Sequence, residues 1–203
     1  MAVIVLTGYG LWGNRTINPS WEMLRETEFA LPSGWEVRLV QLPVSWATVW
    51  DTLAPELTAE VKAVVCFGLS EGIRAIALEG IAKNRVNSRE VDALGKLFPS
   101  DFACAIGPAC YPTRLPVKAL HTALAAEGIP SKDSDDAGDY LCNYIFYEIM
   151  YWIANTRPDV IGGFVHVPPI ANPTLPGNTG LPLPTLRRAA QVIAGTVADA
   201  ARY

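Results

Sequence analysis

Ala2-Val3-Ile4-Val5-Leu6, stopped by Thr7-Gly8, is a short continuous apolar run. That is the pattern of a strand buried on both faces, not of one alternating against solvent. Two further strands are read at Glu36 to Leu42 and Lys62 to Gly68, with helical stretches from Trp21 to about Phe29 and from Val44 to Leu57 between them. The order βαβαβ implies a parallel sheet with right-handed crossovers. The loop from Thr7 to Ser20, TGYGLWGNRTINPS, then lies at a strand's C-terminal end, where open α/β sheets take their ligands. Asn18 or Ser20 is placed to cap the first helix and Pro19 or Trp21 to begin it. The letters GYGLWG are not a dinucleotide fingerprint, because no tight helix start and no acid after the second strand accompany them.

Composition bounds the class. The chain has 203 residues, half of them apolar and 18% charged, with a formal net charge of −4. One α/β domain spanning 1–203 is expected, with a sheet covered on both faces. The acidic balance and the absence of any Lys/Arg run argue against nucleic-acid and membrane partners. Cysteines at 66, 104, 110 and 142 form no C-x-x-C pair and only His121 and His166 could join them, so no metal site and no cofactor are expected. The first apolar run is too short for a signal segment, which points to a cytoplasmic protein with reduced thiols.

Ile73 to Asn84, IRAIALEGIAKN, fits a strand or a helix, and in either case Glu79 is a lone acid among apolar residues. It could equally be an exposed residue on an edge strand. Residues 85 to 115 carry Gly95, Pro99, Gly107, Pro108 and Pro112 and no sustained period; they read as an irregular excursion, with a hairpin one option. A helix from Val117 to Glu127, capped by Gly128 and carrying a surface His121, leads to a short strand at Ile129 to Asp133. Residues 168 to 184 hold six prolines and two glycines and form a loop, and Thr185 to Ala200 is a closing amphipathic helix.

Between these lies Asp135 to Tyr147, DDAGDYLCNYIFY, a glycine-containing turn feeding an apolar helix that runs from Leu141 to about Ala154. Cys142 falls in that helix's first turn, where unpaired N–H groups and the positive dipole end favour a thiolate. Taken alone, a cysteine in such a run is more often core packing. His166 stands near the C-terminal end of a buried strand, Val160 to Val167, where it is either a satisfied core histidine or a proton carrier. Nucleophile, imidazole and an orienting acid are the parts of a cysteine hydrolase, and Cys142, His166 and Glu79 are all expected at one edge of one sheet.

The sequence resembles the pyroglutamyl peptidases type I. The resemblance runs through Ala137-Gly138, Tyr140-Leu141-Cys142-Asn143-Tyr144, Gly163-Phe164-Val165-His166-Val167-Pro168, and Leu78-Glu79 with Ile81-Ala82 and Asn84. It extends to Thr7-Gly8, Ile17-Asn18-Pro19-Ser20-Trp21-Glu22, Leu115-Pro116-Val117-Lys118 and Gly128-Ile129-Pro130, nearly the whole chain. It implies a three-layer α/β sandwich with a twisted, mostly parallel sheet, and removal of an N-terminal 5-oxoproline from a peptide substrate. Cys142 would be nucleophile, His166 base then acid, and Glu79 the orienting partner. Tyr9 and Trp12 would clamp the lactam, Asn18 would join them in the substrate-binding set, and Arg89, matching the family's Asp-Ala-Arg position, would lie near the site and help the oxyanion. A homotetramer is also implied. Two loops depart from the family pattern. Gly8 to Asn14 replaces Gly-Phe-x-Pro-Phe-Gly-Gly, and Gly68-Leu69-Ser70-Glu71-Gly72-Ile73-Arg74 has its arginine one place later and no glutamine, whose polar contact is either lost or replaced by Glu71. A thiol-redox protein, a nucleotide binder without a phosphate loop, and a noncatalytic relative remain open at this point.

Overall fold

The computed structural model describes residues 1–13, 15–171 and 180–202. Strand β1 covers Ala2–Tyr9, β2 Trp35–Leu42, β3 Val61–Leu69, β4 Ile76–Glu79, β5 Ile81–Lys83, β6 Cys110–Pro112, β7 Ser131–Ser134 and β8 Ile161–Val167. The helices are α1 Pro19–Glu22, α2 Val49–Leu53, α3 Val117–Ala126, α4 Leu141–Thr156 and α5 Leu183–Ala200. The main sheet has the order β2-β1-β3-β8-β4-β7, and β5 and β6 form a separate two-stranded ribbon.

The apolar runs alternate between two cores, as strand geometry requires. Val3 and Val5 of β1 and Val64 and Cys66 of β3 face α2 and α4. Ile4, Leu6, Val65 and Phe67 face the opposite layer, where Leu120 and Leu124 of α3 and Ala190 and Ile193 of α5 are buried. The architecture is the expected α/β sandwich with a mostly parallel sheet between helical layers. No helix among the described residues is long and apolar enough to cross a membrane.

One reversal shapes the site. Strand β8 is parallel to β3 and antiparallel to β4, while β4 and β7 are parallel to each other. The connection from Ser70 to Ala75 is too short for a crossover helix, so the chain returns in the opposite direction and β8 fills the place between β3 and β4. The ambiguous stretch from Ile73 is therefore strand, with Glu79 1% exposed at its end, not on a solvated edge.

Both of the early helices are shorter than their apolar patterns predict. α1 is capped as expected, Asn18 Oδ1 accepting from the Ser20 N–H at 3.2 Å with Pro19 in the first position, but it ends at Glu22. Beyond it the Leu24 N–H turns back to the Trp21 carbonyl and the Thr27 N–H to that of Leu24, tighter turns that lead the chain off the helix axis. The stretch from Val44 to Thr48 is held out of α2 by the excursion. Buried Asp92 accepts the Trp46 N–H at 3.0 Å, and the Ala93 N–H donates to the Val44 carbonyl. A 3₁₀ turn over Ala54–Glu56 follows the helix.

The excursion is the loop of the β5–β6 hairpin. It needs no regular structure because side chains satisfy its backbone. Asp92 also accepts from the Leu94 and Lys96 N–H groups, and Asn84 bonds the carbonyl and N–H of Cys104 at 2.8 and 2.9 Å. The closing helix begins at Leu183, two residues before its expected start. Of the proline-rich loop, residues 172–179 lie outside the described residues; at its ends Ile170 and Leu181 form a bridge. His121 is half-buried, with its ring nitrogens 2.7 Å from Ser131 Oγ and 2.9 Å from Asp133 Oδ1, so it ties edge strand β7 to α3.

Fully buried Asn143 joins the excursion to α4. Its Oδ1 accepts the Lys83 N–H at 2.9 Å and its Nδ2 donates to the Lys83 and Arg85 carbonyls, each at 2.8 Å. Asn143→Ala removes the partner of the Lys83 N–H and of the Arg85 carbonyl, while the Lys83 carbonyl keeps the Arg85 N–H at 2.8 Å, and a loss of about 1–3 kcal/mol in unfolding free energy is expected by urea denaturation. A loss within error of zero would mean that water replaces the amide.

Candidate active site

The turn before α4 contains Gly138 at φ +80°, a left-handed conformation that glycine adopts without strain, and Tyr140 enters the helix in an extended conformation. Cys142 is thereby the second residue of α4, and the N–H groups of the first turn have no helical acceptor. Its sulfur lies against β3. A Cβ added at Gly68 would fall 2.8 Å from Cys142 Sγ and 2.7 Å from the Phe164 ring, so glycine leaves the space that the thiol occupies.

Gly68 pairs with His166 across β3 and β8, and His166 pairs with Ala77 across β8 and β4. Glu79 is two residues from Ala77, on the same face of the sheet and diagonal to the imidazole. His166 Nδ1 lies 2.8 Å from Glu79 Oε1, and the two residues are 7% and 1% exposed. The Phe164 ring packs edge-on against the imidazole with centroids 4.9 Å apart. Burial by itself would lower the His166 pKa. Hydrogen bonds to Cys142 and Glu79, together with their negative charge, outweigh it and raise the value to about 9. His166 therefore carries a proton at neutral pH while it faces Cys142.

The sulfur opens onto a cavity with mostly apolar walls, among them Tyr9, Trp12, Val44, Leu69, Tyr140 and Leu141. Of the residues expected to bind a ligand, Tyr9, Trp12 and Asn18 line this cavity and Arg89 is not in its wall. Tyr9 is nearly buried, and its hydroxyl donates to the Leu141 carbonyl at 2.8 Å, so it is a floor that anchors α4. Trp12 is 40% exposed and is the solvent-facing part of the wall. Asn18 spends its amide on the Gly10 carbonyl, at 2.9 Å, and its oxygen on Ser20, shaping the first loop. Arg89 is exposed in the excursion, and its backbone N–H bonds Asn87 Oδ1. Arg15 and Glu71 also line the cavity and pair with each other, so among the described residues its lining carries no uncompensated charge.

Sequence reasoning did not single out Tyr140, Gly68 or Asn143 individually. Tyr140 faces Trp12 at 6.1 Å and Trp46 at 4.9 Å, and its hydroxyl donates to the Val91 carbonyl at 3.0 Å. Burial raises its pKa to about 12, so the phenol keeps the proton it donates. Its position beside Cys142 was the available signal. Among the described residues no group of three His, Cys, Asp or Glu side chains could hold a metal ion.

Comparison with known proteins agrees with this geometry. A family model described as pyroglutamyl peptidase matches residues 1–202. The chain belongs to the pyroglutamyl peptidase family. It is 34% identical over 203 residues to the pyrrolidone-carboxylate peptidase of Bacillus subtilis strain 168, covering 97% of this chain and 92% of the relative. It is 37% identical over 170 residues to that of Clavibacter michiganensis, covering 83% and 79%. The crystal structure of pyroglutamyl peptidase I from Bacillus amyloliquefaciens superposes with a TM-score of 0.90 at 30% identity over 98% of both chains. The fold expected from the family resemblance is thus the fold observed.

A folded-state value near 9 lies above the ordinary histidine value of 6.5. The stability carried by the His166 proton is therefore complete below about pH 6.5 and is lost as pH rises through about 9. NMR titration of the His166 ring should give a midpoint near 9, moving down in Glu79→Gln as the carboxylate is lost. An unchanged midpoint in Glu79→Gln would remove Glu79 from the account.

Proposed function

We propose that this chain is a cysteine exopeptidase that removes N-terminal pyroglutamyl residues from peptides, with Cys142 as nucleophile, His166 as general base and acid, and Glu79 as orienting partner. The observation that carries this reading is the chain of contacts from Cys142 to His166 to Glu79 at the edge of an apolar cavity. A pyroglutamyl group is flat, uncharged and without a free amine. It suits aromatic walls and a mouth at which the Glu71 carboxylate is already paired with Arg15 and so does not wait for an ammonium.

The lactam ring enters the cavity between Trp12 and Tyr140, over the Tyr9 floor, with Asn18 holding the loop that carries Trp12. The Cys142 sulfur attacks the exocyclic carbonyl carbon, and the developing oxyanion is held by first-turn N–H groups of α4, a contribution of about 3 kcal/mol per donor. As the C–N bond breaks, His166 gives its proton to the leaving amine. A water then attacks the thioester, His166 takes the water's proton, and the C–S bond breaks to free pyroglutamic acid and return the sulfur as thiolate beside the protonated imidazole. Glu79 holds the imidazole orientation throughout. Arg89 has no direct role in this path, because it is exposed outside the cavity wall.

The assembly is proposed to be a homotetramer, as the family resemblance implies, and the protein cytoplasmic. In support, Val91, Leu94, Leu97, Phe102 and Ile106 expose apolar surface on the excursion, where another copy would cover it. The cysteines at 66, 104, 110 and 142 are free thiols. Sedimentation equilibrium should give about four times 22.0 kDa; a monomer at micromolar concentration would contradict the assembly.

Purified protein should release aminocoumarin from its pyroglutamyl amide. Cys142→Ala should abolish release, and His166→Ala should lower kcat by a factor of about 10²–10⁴. Gly68→Ala should lower it by roughly 10²-fold by displacing the sulfur. Release by Cys142→Ala at the parent rate would refute the proposed chemistry.

A further inference from the structure

The leaving side of the reaction has its own cavity. It lies beyond the imidazole, is lined by His166 and Glu79, and shares Leu69 with the cavity that holds Cys142. The carbonyl under attack must sit at the Cys142 sulfur and the departing nitrogen must face His166. A substrate whose first ring fills the Cys142 cavity therefore directs its next residue into the second one.

Strand register sets what that residue meets. His166, Ala77 and Lys132 are successive partners across β8, β4 and β7, and so lie in one row on one face of the sheet. Two strand spacings place Lys132 about 10 Å from His166 at the backbone. Ala77 between them has only a methyl group, which leaves the gap that forms the floor of the cavity.

The charges around this gap are unequal in their partners. Glu79 is met by His166, and Asp136 by Lys83 at 3.1 Å and Arg85 at 3.5 Å. Asp133, next in sequence to Lys132, faces the other side of β7 and is held by His121. Lys132 is exposed and has no ion pair among the described residues, so its ammonium is the uncompensated charge of the lining.

We propose that this second cavity is the subsite for the residue following pyroglutamate, and that Lys132 there recognises a carboxylate. The carboxylate has two sources, an acidic side chain in the second position or the free C-terminus of a pyroglutamyl dipeptide. The assignment rests on the peptidase reading above.

The test compares kcat/KM for pyroglutamyl-Glu-amide against pyroglutamyl-Gln-amide, and for pyroglutamyl-Ala with a free C-terminus against its amide. Ratios are taken within each enzyme so that general losses cancel. The wild type should prefer the carboxylate in at least one pair by about fivefold, the scale of an exposed ion pair. The preference should shrink with added salt. It should vanish in Lys132→Gln and invert in Lys132→Glu, and the pair that responds identifies the source. Absence of preference in both pairs, or preference retained in Lys132→Gln, overturns the proposal. Turnover of the pyroglutamyl aminocoumarin amide by the same wild-type preparation separates that outcome from failure of the peptidase reading itself.

Discussion

The hydrogen bond between His166 and Glu79 is the constraint on which the rest of the site depends. A carboxylate 1% exposed is costly unless a donor or an opposite charge meets it, and here the imidazole does so at 2.8 Å. Its other oxygen, Oε2, is buried without a hydrogen-bond partner among the described residues, so the imidazole is the contact there that compensates this charge. That dependence is mutual. The Cys142 sulfur and the Glu79 carboxylate together hold the proton on His166 against a burial that would expel it.

Such a pair can form only because β4 runs against β8. In that register Glu79 and Ala77 share a face with His166, and the diagonal contact puts carboxylate and ring within hydrogen-bonding distance. Gly68, on the other side of β8, leaves room for the thiol. Around this row the structure is held by polar contacts more than by regular elements. Asn143, next to the nucleophile, binds the strand that follows β4, and Asp92 in the excursion sets the segment carrying Val44 and Trp46. The catalytic helix, the aromatic wall and the excursion are thus one mechanical unit.

Much of this was legible in the chain, and what was not has identifiable physical causes. Continuous apolar runs mark β1, β3 and β8, because strands buried on both faces have no reason to alternate. Gly138 and the apolar run after it mark the start of α4 and so the position of Cys142. Glu79 was ambiguous, since periodicity over a short stretch cannot separate strand from helix and one acid cannot announce its partner 87 residues away. The Trp21–Phe29 and Val44–Leu57 patterns are helical locally but are cut short by turn hydrogen bonds and by Asp92, a contact from 46 residues downstream. Tyr9 and Trp12 were both read as clamps, yet one is floor and the other wall, a distinction set by the Tyr9 bond to the Leu141 carbonyl that no spacing encodes. The reversal of β4 follows from the short connection after β3 together with the insertion of β8, a topological fact that appears only when the sheet is assembled.

The central claim is that Cys142, and no other thiol, carries the acyl group. It is tested most directly by acid-quenching the enzyme during turnover of a pyroglutamyl amide and mapping the modified peptide by mass spectrometry. The account predicts one pyroglutamyl group in thioester linkage on the peptide containing Cys142, and none on those containing Cys66, Cys104 or Cys110. A label on one of those three cysteines, with Cys142 unmodified while product accumulates, would contradict it.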